Sequence, residues 1–244
     1  MPTTQHHKRT PRDSNQPWRS LPIIVWHVET TGPDPLVDRI VEIGAVFFAN
    51  QTQFESGDGD SGFLMLVDPE RKIPDNVLTT PSVGHAIELA LEWFREIDQD
   101  NLPTILHAAH DSAFSLAMFR NEWLRASHPD APARMPAMIN SSAAWIDGSV
   151  WAHEVIGASL MGKFDAATVA AELDVEPIDG VSRALSSAKL AGQILSRLPE
   201  RPAAPRVLRN GTVGNLLRWQ AHHDAAQALG RADRLIVTGT VHPL

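Results

Sequence analysis

The chain has 244 residues, no cysteine, no tyrosine, seven tryptophans and a formal net charge of -8. That length suits one large domain, or one domain with an appendage, and buries roughly 70% of the unfolded surface without a covalent staple. The absence of cysteine excludes disulfides, thiolate catalysis and Cys-ligated zinc, and the acid excess argues against a protein that coats DNA through a basic surface.

The first 20 residues are polar and carry Lys8, Arg9, Arg12 and Arg19 against Asp13. They predict a disordered basic tail, in which His6 and His7 have no assigned role. No apolar stretch precedes Leu21 that could serve as a secretory signal, and no run of about 18 apolar residues occurs anywhere. The expected location is the cytoplasm, with no membrane contact.

Ile23 to Val28 is a near-continuous apolar run, the pattern of a central strand covered on both faces. Thr30 to Pro35 breaks it with turn residues. Arg39 to Phe48 predicts a second strand. Gln51 to Ser61, polar and rich in Gly and Asp, predicts a hairpin loop, and Phe63 to Val67 a third strand. The short connections allow an antiparallel meander. The period then changes. Val83 to Ile97 and Ser112 to Leu124 carry helical apolar stripes, with Asp111 or Ser112 as N-cap of the second. Thr104 to Ala108 and Ala144 to Ile146 predict short strands. Further helices are expected near 149–160, 166–173 and 181–197. Beyond a Pro/Ala/Arg linker at 199–205, Val213 to Leu229 predicts a helix and Arg234 to Val241 a strand or extended arm. The order predicts an α/β fold, a mixed five-stranded sheet with helices packed on it. The expected division is a tail at 1–20, one domain at 21–197, and a linker with a C-terminal helix or arm at 198–244.

Val28-Glu29-Thr30-Thr31-Gly32, followed by Asp38 to Ala45, resembles the first motif of the DnaQ-like, DEDDh 3′–5′ exonucleases, which runs Asp-x-Glu-Thr-Thr-Gly before a strand ending near Ile-Gly-Ala. Further pieces follow in family order. Lys72-Ile73-Pro74 resembles the "x-Ile-Pro" after the third strand, Leu106 to Arg125 the second motif, Trp145-Ile146-Asp147 the strand ending in Asp, and Val181 to Leu195 the third motif. The resemblance covers about residues 22–197. It implies an RNase H-like, three-layer α/β/α exonuclease fold.

The resemblance also implies where the chemistry sits: four carboxylates and one histidine. Only Glu29 keeps its residue type. His27 stands at the first acid position, Ser115 at the second-motif Asp, Ser187 at the third-motif Asp and Ser182 at the general-base His. These positions are vestigial. The family hydrolyses phosphodiesters with two metal ions about 4 Å apart, whose mutual repulsion is roughly 16 kcal/mol at an effective dielectric near 20. Clustered carboxylates offset that repulsion, and a lone Glu29 cannot. Residues 180–199 contain no acid, so no shift of register supplies one. Asp111 is better read as a helix cap, Asp147 as a cap or local partner, and Asp179 as pointing elsewhere. His27 could pair with Glu29 as a ligand of a softer metal, since residues i and i+2 share a strand face. The favoured reading is a neutral filler in contact with Glu29.

Thr30, Thr31, His110 and Arg183 are weak candidates for nucleic-acid contact, by their places in the motifs. No metal or other cofactor is expected. The favoured function is a catalytically inactive, exonuclease-like module that binds nucleic acid or scaffolds a nucleic-acid-processing complex, with a protein partner contacting residues 198–244 and a DNA or RNA end as a possible ligand. The alternative is an active 3′–5′ exonuclease with an altered site, using Mg²⁺ or Mn²⁺ on single-stranded ends. Charge bears on the choice. Residues 21–196 hold ten basic and 25 acidic residues, a net of -15, whereas 1–20 and 197–244 carry +3 and +4. Contacts with an acidic partner are therefore expected through the two ends.

Overall fold

In a computed structural model, residues 15–57, 59, 61–69, 82–98, 105–126, 139, 145–160, 162–178 and 182–237 are described. His6 and His7, Lys72-Ile73-Pro74 and Asp179 lie outside them. The expected mixed sheet is present. Strands β1 (Ile23–Thr30), β2 (Ile40–Phe48), β3 (Ser61–Leu66), β4 (Leu106–Ala109) and β5 (Trp145–Asp147) run in the order β3-β2-β1-β4-β5. The first three form the antiparallel meander, and β4 and β5 join parallel to β1.

Alternation along β1 splits the core in two. Ile23 and Val25 face one layer, with Val46 and Phe48 of β2. Ile24, Trp26 and Val28 face the other, with Ile43, Ala45 and Phe47. Helices α2 (Val83–Asp98) and α3 (Ser112–Arg125) cover the second face. Helices α4 (Gly148–Ile156), α5 (Ala166–Glu172) and α6 (Arg183–Arg197) cover the first. The capping residues follow ordinary rules: Asp111 accepts from Phe114 N, Asp147 from Ser149 N and Val150 N, and Asp165 from Thr168 N.

Three expectations need correction. The stretch Gln51–Ser61 is not all loop, because Gln51–Ser56 forms helix α1. Asn50 caps its start by accepting from Gln53 N, Gly57 ends it at φ +78°, and Phe54 anchors it in the core. Arg234–Val237 is not a strand: it completes α8 (Val213–Val237), and 238–241 lies outside the described residues. Residues 15–20 belong to the fold rather than to a loose tail. Trp18–Ser20 is a 3-10 turn, Trp18 is fully buried, and Pro17 bridges Thr212. The same contact ties in the C-terminal segment. Leu208 of α7 (Arg206–Asn210) and Leu216 of α8 are fully buried in the core of the first face, and Trp18 Nε1 donates to Leu208 O at 3.0 Å.

The second layer holds an aromatic cluster around a buried imidazole. His107 lies beside Trp26, Phe94 and Trp145, stacked on the last at 5.5 Å, and its Nδ1 accepts from Trp26 Nε1 at 3.0 Å. Burial pushes His107 down to about 4. The unfolded imidazole takes its proton below about 6.5, so between those values the unfolded chain binds more protons than the folded one. Stability should therefore fall by about 3 kcal/mol in all as pH drops from about 6.5 to about 4. Urea titrations of the wild type and of His107→Gln, which keeps an acceptor for Trp26, check this: the acid-dependent loss should shrink in the variant.

Candidate functional site

The candidate site lies where β1, β4 and β5 end. β1 pairs with β4 as far as Val25 opposite Ala108, Ala109 pairs with Asp147, and His110 directly follows the end of β4. On the other side of β1, His27 faces Gly44 and Glu29 faces Glu42. Directly opposed residues share a sheet face, so His27, Glu29, Glu42 and Gly44 form one patch beneath the first turn of α6.

Glycine at 44 is what brings α6 so close. A Cβ there would sit 2.4 Å from the Ala184 carbonyl carbon, closer than atoms can approach. The helix start is then pinned from below. Glu42, buried on β2, accepts from Ser182 Oγ at 2.6 Å and from Ala184 N at 3.1 Å. Ser182 Oγ in turn accepts from Leu185 N as the N-cap. A carboxylate here also meets the positive end of the helix dipole.

His27 Nε2 lies 3.4 Å from Glu29 Oε1, the expected contact, with both side chains partly exposed. Burial holds the His27 imidazole below its ordinary range, against the pull of Glu29. His110 also lowers it, which places the two imidazoles within electrostatic reach. His110 Nε2 is 2.6 Å from the Phe164 carbonyl and so carries the proton as donor. Its Nδ1 is buried with no hydrogen-bond partner among the described residues.

The remaining predicted residues divide. Ser182 joins His27, Glu29 and His110 through Glu42. Ser115 is buried one turn into α3 and its Oγ donates to Asp111 O at 3.0 Å. Ser187 is half-buried five residues past Ser182 on α6. Thr30 and Thr31 shape the turn: Thr30 Oγ1 donates to Gly32 O, while Thr31 Oγ1 donates to Asp38 and accepts from Arg39 N. Arg183 is exposed on the first turn of α6.

The nearby acids are occupied with the frame. Asp147, buried, accepts five hydrogen bonds: Ser112 N and Oγ at Oδ2, and Ser149 N, Ser149 Oγ and Val150 N at Oδ1. Asp111 caps α3. Glu122, with no exposed side-chain surface, takes Arg39 Nε at 2.9 Å, the Ile40 amide and Arg125. Glu29, opposite the committed Glu42, is paired with His27 in the patch. Among the described residues no three His, Asp or Glu side chains are placed to hold a metal ion. Hard divalent cations prefer several oxygen ligands, so the described donors do not fit the two-metal pair that the motif resemblance implies.

Sequence reasoning did not single out Glu42, Glu122 or Gln220. Glu42 is the one acid in the apolar run of β2, and that break in the pattern was the available signal. Gln220 of α8 accepts from Asp147 N and Trp151 Nε1 and donates to Trp145 O, locking α8 onto β5.

No family model matches the sequence, and no curated protein matches it. Solved structures do. The chain is similar to the nuclease domain of 3′hExo, a DEDDh family member, in its structure bound to rAMP. The TM-score is 0.54 at 12% identity, over 75% of this chain and 93% of that one. A 3′-exonuclease seen in 3′-end-specific recognition of a histone mRNA stem-loop gives a TM-score of 0.55 at 11% identity, over 75% and 83%. Cell-death related nuclease 4 gives 0.51 at 12%, over 75% and 64%. The chain has the DEDDh exonuclease fold. The sheet with helices on both sides, expected from the sequence, is the sheet of that fold. At this identity the likeness carries the DEDDh fold alone, and the motif positions are judged on this chain's own side chains.

Proposed function

We propose that this chain is a catalytically inactive exonuclease-fold module that binds nucleic acid or scaffolds a nucleic-acid-processing assembly. The observation that carries the reading is the use made of the acids. Glu42, Asp111, Glu122 and Asp147 each hold the frame, and Glu29 is left with His27. A neutral imidazole and one carboxylate do not offset the charge of two cations.

The test is direct. Labelled single-stranded RNA and DNA are incubated with the protein and Mg²⁺ or Mn²⁺, and the products sized. Wild type and Glu29→Gln should both leave the strands uncut. Cleavage by the wild type that Glu29→Gln removes would overturn the proposal in favour of an active exonuclease with an altered site.

A protein partner is proposed to contact the exposed faces of α7 and α8. Deleting 198–244 is not a usable test of that contact. Leu208 and Leu216 are core residues, so the deletion would unfold the protein as well as remove the surface. Charge changes at exposed positions of these helices, followed by co-purification, separate the two effects.

A further inference from the structure

The first described residues meet the turn between α7 and α8. Pro17 bridges Thr212, Trp18 N donates to Gly211 O at 3.2 Å, and Val213 N donates to Gln16 O at 2.9 Å. Gln16 to Trp18 therefore pack on the turn between α7 and α8. That corner is basic. Residues 201–223 contain Arg201, Arg206, Arg209 and Arg218 and no Asp or Glu.

The neighbouring acids already have partners. Glu172 meets Arg201, Glu200 meets Arg197 and Glu55 meets Arg19. Among the described residues no carboxylate lies within ion-pair distance of Arg206, Arg209 or Arg218, and all three are exposed. Two are held in place by neutral groups. Arg209 donates to Arg201 O and Pro202 O, and Arg218 to Asn215 Oδ1. Their charge stays unbalanced while their mobility is reduced.

We infer that the α7–α8 corner is a binding surface for the phosphate backbone of a nucleic acid. Guanidinium groups suit phosphate because their planar forks donate in pairs, and the net -15 of residues 21–196 repels a polyanion elsewhere. The corner lies beside Trp18, ahead of the first residue of β1, whereas Glu29 lies near its last. The six steps from Ile23 to Glu29 span about 20 Å of strand. A strand bound here reaches the candidate site only by running along the body.

This inference rests on the reading of the chain as a nucleic-acid-binding module, and the experiment separates the two. Labelled 30-nucleotide single strands of RNA and DNA are titrated with the full-length protein by fluorescence anisotropy at several salt concentrations. Arg206→Glu/Arg209→Glu/Arg218→Glu should weaken both strands roughly tenfold or more. It should also flatten the slope of log affinity against log salt by about 2, near 0.7 per lost phosphate contact. Circular dichroism verifies that the variant is folded, and if it is not, Arg→Gln replacements at the same exposed positions take its place. Arg183→Glu reports binding at the candidate site instead. If the strands bind but only Arg183→Glu releases them, the surface is wrong and the module reading stands. The surface also falls if Lys8, Arg9 and Arg12 account for all the binding. If neither strand binds while an acidic polypeptide, poly-glutamate, does, the phosphate surface and the nucleic-acid-binding arm of the module reading fall in favour of a protein partner. If nothing binds, the phosphate surface and that arm fall as well, and the scaffold arm is left.

Discussion

Asp147→Ala is expected to lower the unfolding free energy by about 3–5 kcal/mol, at the upper end for a single substitution. The buried carboxylate accepts hydrogen bonds from both Ser112 and Ser149, from their amides and hydroxyls alike, and from Val150 N. It thus caps α4 and anchors the start of α3 at once. A helix cap alone contributes about 1 kcal/mol, and hydrogen bonds to a charged group about 1.5–3 kcal/mol each, well short of additively. Asp147→Asn keeps one acceptor oxygen, so it should retain the donors of one helix and lose those of the other. Its loss should fall between wild type and Asp147→Ala. Urea denaturation followed by tryptophan fluorescence measures all three. An Ala variant within 1 kcal/mol of wild type would show that Asp147 is not the joint between the two helices.

Trp18→Ala should cost a similar amount, about 3–5 kcal/mol, the usual range for deleting a buried tryptophan. Its ring is fully buried, edge-on to Trp151 at 5.3 Å and to Phe54 at 6.5 Å, and its Nε1 satisfies the Leu208 carbonyl. The substitution leaves a cavity and an unpaired carbonyl together. The loss should be felt far along the sequence. Amides of α7 and the first turns of α8 should exchange with solvent faster than those of α3, which lies on the other face of the sheet. Equal acceleration throughout would mean that Trp18 supports the core generally rather than its seam with α7 and α8.

The strands were legible because a central strand covered on both faces gives a continuous apolar run, as Ile23 to Val28 does. The His27–Glu29 contact was legible because residues two apart on a strand share a face, and the structure brings the two together. What was hidden depended on distant partners. In α1 only Phe54 is apolar and buried, so its periodic signal is too thin to separate from a polar loop. The C-terminal segment looked separable because its linker is rich in proline, and nothing local reveals that Trp18, 190 residues away, bonds to Leu208. Arg234–Val237 carries branched residues that favour a strand, yet it completes the helix that Gln220 fastens to β5.

Glu42 shows what this arrangement means for engineering the fold. The Ser182 hydroxyl donates to that carboxylate while its oxygen caps α6. A substitution at 182 therefore acts on two elements at once, because the helix it starts already rests on Gly44. Placing new acids at 27, 115 and 187 leaves this joint untouched, whereas a new side chain at 182 has to replace both the donor to Glu42 and the cap of α6. Position 182 is in this sense a keystone, and a design that alters it has to reseat a whole helix.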